Sequence, residues 1–276
     1  MDNSWQRGRL VIDGNSIDFV EKGTSSSVVV FLHALPGSHL DYAAVLEPIA
    51  KLCRVIALDW PSFGAGEQTA DVAKASPLYF SGLLKQFLLE MKIESPILIG
   101  NSIGGYAAVR VALDLPDQVR GIILINSGGF TQHSFFTRFF CRLKGSLRGT
   151  RWLTYPMAKL YLKRRTPVVC AMLERAKKIK SNPLQVEVEA AIWRSFLHPD
   201  SNLIQAAKKL RVPTLIVWGK HDLVVPWNRD GRNCQSSIPL AKTVLMNTGH
   251  CPPAEQPDDF VREARRFISS ILNKKV

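Results

Sequence analysis

Short apolar runs rich in β-branched residues alternate along the chain with longer stretches whose apolar positions recur at helical spacing. The runs at 28–33, 55–59, 96–100, 121–126, 213–219 and 242–246 show little polar alternation, as expected of strands buried on both faces. Residues 41–51, 77–91, 104–114 and 257–272 carry the helical pattern. In the second of these, Leu83, Leu84, Phe87 and Leu88 share one side. Residues 9–13 and 17–21 flank Gly14-Asn15 and read as a hairpin. Parallel strands need crossover connections, and helices stand between these strands. The pattern therefore predicts an α/β fold, a mostly parallel eight-stranded sheet flanked by helices.

The alternation stops between 130 and 205, where helical pieces separated by Gly145, Gly149, Pro167 and Pro183 replace strands. An all-helical insertion between the sixth and seventh strands lies over the carboxyl ends of the sheet, where open α/β sheets bind ligands. The expected organisation is a core domain of residues 1–129 and 206–276 with a helical cap, or lid, at 130–205.

Composition adds to this picture mainly through charge. The chain of 276 residues is 46% hydrophobic, ample for a large core, and carries a formal net charge of +13. Residues 130–205 hold 14 Lys/Arg against 4 Asp/Glu, whereas the rest holds 22 against 19. So basic a cap reads as a solvated face, or as a contact for an anionic membrane surface or ligand. No nucleic-acid motif is visible, and no nucleic-acid partner is expected. The N-terminal residues include an acid and lack an apolar signal region, and no run is apolar enough to cross a membrane. The expectation is an intracellular, cytoplasmic protein, with a plastid or peripheral membrane location as alternatives. The cysteines are odd in number and scattered, which argues against a disulfide framework or zinc site.

Ser102 is the candidate nucleophile. It sits in the run 97–105, after three apolar residues that end the 96–100 strand, with Gly100 two positions before it and Gly104 two after, ahead of an Ala/Val-rich helical pattern. Glycines at those positions let neighbouring segments approach a strained strand-to-helix turn that presents the hydroxyl at the top of a sheet. A serine hydroxyl needs a base. His250 lies just beyond the last strand, in a loop kept irregular by Pro252 and Pro253. The base in turn needs a carboxylate, and Asp222 lies just past the seventh strand. Asn126 and Ser127 occupy the alternative acid position after the sixth strand, so Asp222 is preferred; its neighbour His221 is expected to point away. Backbone N–H groups of Ile103 and Leu35 are the expected oxyanion donors, since Pro36 has none. Asp59 reads as a residue of a structural turn, and Cys251 as a small packing residue beside the site.

Five motifs, His-Ala-Leu-Pro-Gly, Asp-Trp-Pro-Ser-Phe-Gly, Gly-Asn-Ser-Ile-Gly-Gly, Trp-Gly-Lys-His-Asp and Gly-His-Cys-Pro-Pro-x-Glu-x-Pro, closely resemble those of the α/β-hydrolase superfamily over residues 10–272. The resemblance implies the α/β-hydrolase fold, with Ser102, Asp222 and His250 as a catalytic triad, Leu35 and Ile103 as the oxyanion hole, and no metal or organic cofactor. It also implies a serine carboxylic ester hydrolase acting on a small-molecule ester with an apolar acyl or alcohol part. The serine is unlike the aspartate of the haloalkane dehalogenase and epoxide hydrolase branches. The Gly-Asn-Ser-x-Gly-Gly elbow is similar to those of meta-cleavage-product C–C hydrolases and of pheophytinase-like hydrolases. The usual His-Gly and Pro-Gly of the superfamily are here His33-Ala34 and Pro61-Ser62, changes that remove no catalytic atom. One alternative is a C–C bond hydrolase with the same triad, which would need a cap arginine such as Arg194 for a substrate carboxylate. The other is a non-catalytic ligand receptor on the same fold. Phe135, Phe136, Phe139 and Phe140, interleaved with Arg138 and Arg142, have the look either of core or of an interfacial helix.

Overall fold

The computed structural model describes residues 4–64 and 71–273. Residues 1–3, 65–70 and 274–276, all within the expected core domain, lie outside the described residues. In chain order the elements are β1 (Gln6–Ile12), β2 (Asn15–Lys22), β3 (Val28–Leu32), α1 (Ala43–Ala50), β4 (Arg54–Asp59), α2 (Pro77–Glu90), β5 (Ile97–Asn101), α3 (Ile103–Asp114) and β6 (Gly121–Ile125). Then come α4 (Phe135–Lys144), α5 (Leu147–Tyr161), α6 (Pro167–Lys178), α7 (Pro183–Ser195), β7 (Thr214–Gly219), α8 (Arg232–Ser237), β8 (Lys242–Met246), α9 (Pro252–Glu255) and α10 (Pro257–Leu272).

The strands form one eight-stranded sheet in the order β1-β2-β4-β3-β5-β6-β7-β8. Among the described residues, only the pairings of β1 with β2 and β2 with β4 are antiparallel. Both faces are buried, and alternate residues go to opposite sides. Val30, Leu32, Leu58, Leu98, Leu124 and Trp218 pack with residues of α2 and α3. Phe31, Val55, Ile99, Ile123 and Val217 pack with residues of α1 and α10 on the other face. This is the α/β-hydrolase architecture that the motifs implied.

Helix starts follow local chemistry. Ser76, Ser134, Ser146, Thr166 and Asn182 each accept a backbone N–H at the start of a helix, and Pro77, Pro167 and Pro183 stand just inside three of them. Two readings of the pattern are corrected. The hairpin turn is Asp13-Gly14, not Gly14-Asn15: these residues take φ values of 49° and 76°, and Ile12 pairs directly with Asn15. Two left-handed residues give the turn whose twist matches a two-residue hairpin, and Asp-Gly suits it well. Gly149 does not separate helices but lies inside α5. A Cβ there would stand 1.8 Å from the Leu143 carbonyl oxygen, so glycine is what lets α5 start close under the end of α4.

Helices α4 to α7 all lie between β6 and β7. The ends of this stretch are anchored below: Phe130 and Leu203 are fully buried in the sheet-side core, and the Leu203 N–H donates to the Gly129 carbonyl. No helix of the described residues is long and apolar enough to cross a membrane.

Candidate active site

Ser102 sits between β5 and α3 with φ 53° and ψ −112°, a left-handed conformation that costs about 1–3 kcal/mol for a residue with a side chain. Its surroundings enforce that geometry. The Ser102 N–H donates to the Ile125 carbonyl, and its own carbonyl accepts from the N–H groups of Tyr106 and Gly128. A Cβ on Gly100 would stand 2.2 Å from the Gly104 carbonyl oxygen, and one on Gly104 would stand 2.1 Å from that of Leu32. The two glycines are therefore needed for β5, α3 and β3 to converge on the serine.

His250 and Asp222 come together as the chain order suggested. The His250 Nδ1 lies 2.7 Å from an Asp222 carboxylate oxygen, and both side chains are buried. A carboxylate only accepts, so Nδ1 carries the proton and Nε2 is left with its lone pair. The same Asp222 oxygen accepts from the Asn126 side-chain amide, while the other accepts from the N–H groups of Val224 and Val225. The Asn126 side-chain Oδ1 in turn accepts the Gly219 N–H at 3.1 Å. Thus Asn126, noted in the sequence only as the absence of an acid, is a partner of the acid that is used. Asn101, beside Ser102, donates to the Ile125 carbonyl and to the His250 carbonyl, which ties the serine turn to the histidine loop.

Ser102, His250, Leu35 and Ile103 line one cavity of about 310 Å³. Ile103 opens α3, so its N–H is among those that lack an intrahelical partner. The inserted helices supply much of the remaining wall, with Phe136, Phe140, Tyr161 and Trp193 among its residues. The Tyr161 ring stands edge-on to His250, with centroids 5.2 Å apart, and the His250 N–H donates to the Tyr161 carbonyl. An ion pair missed by the sequence reading also lines the cavity: Lys144 Nζ lies 2.6 Å from Glu189 Oε1 and from Thr154 Oγ1. Burial pulls the Lys144 ammonium below its usual range, opposed by the Glu189 carboxylate. Only the charge-bearing side chains themselves hinted at this pair, because the partners are 45 residues apart.

His221 faces away and meets the Asn247 side chain at 2.7 Å. Asp59 accepts from the His39 N–H and lies 2.9 Å from the His39 ring. Cys251 packs with Ala158, Leu162 and Leu173, and burial pushes its thiol well above the usual range, so it stays protonated. Arg194 is not in the cavity wall: its guanidinium donates to the Gly145 carbonyl at the end of α4. Arg229, unmarked in the sequence, does line the cavity and is held by Asp230.

Residues 27–257 match the family model for the alpha/beta hydrolase fold. The acetyltransferase component of an acetoin-cleaving system from Cupriavidus necator is 26% identical over an alignment of 259 residues that covers 90% of this chain but only 65% of that protein. A 2-hydroxy-6-oxononadienedioate/2-hydroxy-6-oxononatrienedioate hydrolase of Escherichia coli is 26% identical over 267 residues, covering 92% of this chain and 91% of that one. Among solved structures, the enol-lactonase of Burkholderia xenovorans superposes with a TM-score of 0.81 at 20% identity, over 95% of this chain and all of the other.

Proposed function

The chain belongs to the alpha/beta hydrolase family, and from that premise we propose that it hydrolyses a carboxylic ester, with an apolar acyl or alcohol part, through an acyl-enzyme on Ser102. His250 Nε2 takes the Ser102 proton as the hydroxyl oxygen attacks the carbonyl carbon. The N–H groups of Leu35 and Ile103 stabilise the resulting oxyanion. Collapse of the tetrahedral intermediate expels the alcohol, which leaves with the proton from His250. Water, deprotonated by His250, then attacks the acyl-enzyme and frees Ser102. Asp222 keeps the imidazole in the required tautomer and stabilises its charged form.

One observation carries the reading: Ser102, on its strained turn, and His250, hydrogen-bonded to Asp222, line the same cavity. The test is labelling with a fluorophosphonate probe, mapped by mass spectrometry. Wild type is expected to be labelled at Ser102, with labelling lost in Ser102→Ala and reduced about a thousandfold or more in rate in His250→Ala. Absence of labelling in folded wild type would overturn the reading and favour a ligand receptor on the same fold.

C–C bond hydrolysis by the same residues is the second reading, favoured by the 26% identity to the dienedioate hydrolase. Arg194 cannot serve its substrate carboxylate, because its guanidinium is engaged at Gly145. That role would fall to Arg229 in the cavity wall. Turnover of a vinylogous diketone acid in preference to simple esters would decide for this second reading.

A further inference from the structure

Helix α4 is turned inside out. At 100° per residue, Phe135, Phe136, Phe139, Phe140 and Leu143 form one face, and Thr137, Cys141 and Lys144 lie opposite. In a helix lying on a water-soluble body the apolar face points inward. Here the reverse holds. Phe135, Phe136 and Phe139 are 78%, 80% and 60% exposed, while Lys144 and Cys141 are buried. The inversion is locked: Lys144 reaches inward to the Glu189 carboxylate and the Thr154 hydroxyl, and removing one partner of such a buried pair is strongly unfavourable.

The surface around this face says what covers it. Residues 130–173 carry nine Lys/Arg and no Asp/Glu. Arg138 and Arg142 flank the phenylalanines, are exposed, and have no ion-pair partner among the described residues. A second copy of the chain would bring the same positive charge to the contact. The fitting partner is apolar to the depth of a phenyl ring and negatively charged at its rim, as an anionic phospholipid surface is. Phe136 and Phe140 belong both to this face and to the cavity wall, so the cavity opens beside it.

We propose that the phenylalanine face of α4 docks into the surface of an anionic phospholipid bilayer, with Arg138 and Arg142 at the headgroups and the cavity beside the lipid. The proposal concerns where the protein works and holds whatever bond it cleaves. The test is co-sedimentation of the full chain with phosphatidylcholine vesicles, with and without phosphatidylserine, at low and high salt. Binding is expected to need phosphatidylserine and to weaken with salt. Arg138→Gln/Arg142→Gln should lower the partition coefficient roughly twenty-five-fold, about fivefold for each charge. Phe135→Ser/Phe139→Ser should lower it roughly tenfold or more, since two phenyl rings no longer enter the bilayer. Neither Phe135 nor Phe139 is part of the cavity wall, so in this double variant hydrolysis of a short soluble ester and fluorophosphonate labelling should persist. A labelled, folded wild type that ignores phosphatidylserine vesicles would overturn docking and leave the chemistry of Ser102 standing. Salt-independent binding to phosphatidylcholine alone would also overturn it. So would a concentration-dependent dimer that dissociates in Phe135→Ser/Phe139→Ser, because the face would then belong to a second copy.

Discussion

His33 accepts the Trp60 N–H at its Nε2, 2.9 Å away, so the proton of the neutral ring sits on Nδ1, which lies 2.6 Å from the Ala34 carbonyl oxygen. The ring thereby fastens the Leu35 loop to the end of β4. Burial lowers its pKa to about 4, whereas an unfolded histidine titrates near 6.5. Between these values the unfolded chain binds the extra proton, so stability is lost as pH falls through that window, by roughly 3 kcal/mol at most. Asp41 opposes this. Burial pushes its carboxyl up to about 6, so below that value the folded chain holds the extra proton and gains stability as pH falls. The two contributions partly cancel in wild type. His33→Gln separates them: the variant should be less stable than wild type at neutral pH, with the gap narrowing as the pH approaches about 5. Urea unfolding at both pH values measures the gap, and a constant gap would mean that His33 titrates as an ordinary histidine.

The turn from β5 into α3 makes a sharper demand on sequence. A methyl group at Gly104 would meet the Leu32 backbone, the last residue before the His33–Leu35 loop, at 2.1 Å. Neither backbone can yield without moving the helix start that carries Ile103. Gly104→Ala is expected to cost about 1–3 kcal/mol by overpacking and to cut the proposed ester turnover about a hundredfold or more. Gly82, in α2, has no atom within 4 Å of a Cβ placed there. Gly82→Ala should therefore stabilise by up to about 1 kcal/mol with activity unchanged. Thermal unfolding and initial rates on the two variants check the contrast.

The same elements show what could be read from sequence. Buried strands and the breaks between helices at Pro167 and Pro183 were legible because each signal is local. Ser102, Asp222 and His250 were legible as neighbours because each lies within a few residues of a strand's carboxyl end, and strands of a parallel sheet end on the same side. Gly149 misled because its reason lies in the neighbouring Leu143 carbonyl, which spacing does not reveal. Arg194, Asn126 and the Lys144–Glu189 pair depend on contacts between residues far apart in the chain. Helix α4 was ambiguous for a different reason: periodicity finds an apolar face but does not say which way it turns.

At the scale of the whole molecule, the inserted helices are bound to the sheet through the histidine loop itself. The buried Glu255 carboxylate, at the end of α9, accepts four backbone N–H groups: Gly249 and Cys251 on either side of His250, and Lys163 and Arg164 at the junction of α5 and α6. Thr166 adds a bond to the Ala254 carbonyl, and Arg175 on α6 pairs with Asp41 after the Leu35 loop. Glu255→Gln keeps the volume but turns an amide NH₂ toward at least one of those N–H donors, at a cost of about 1–3 kcal/mol. Because one side chain serves both segments, their amides should lose hydrogen-exchange protection together. A fall of roughly tenfold or more is expected at Gly249 and Cys251 and also at Lys163 and Arg164, alongside a lower kcat as His250 loses its fixed position. Loss of protection at the histidine loop alone would mean that the inserted helices are held by Thr166 and Arg175. In that case the cavity could open without disturbing the proposed base, and substrate entry would be independent of the chemistry.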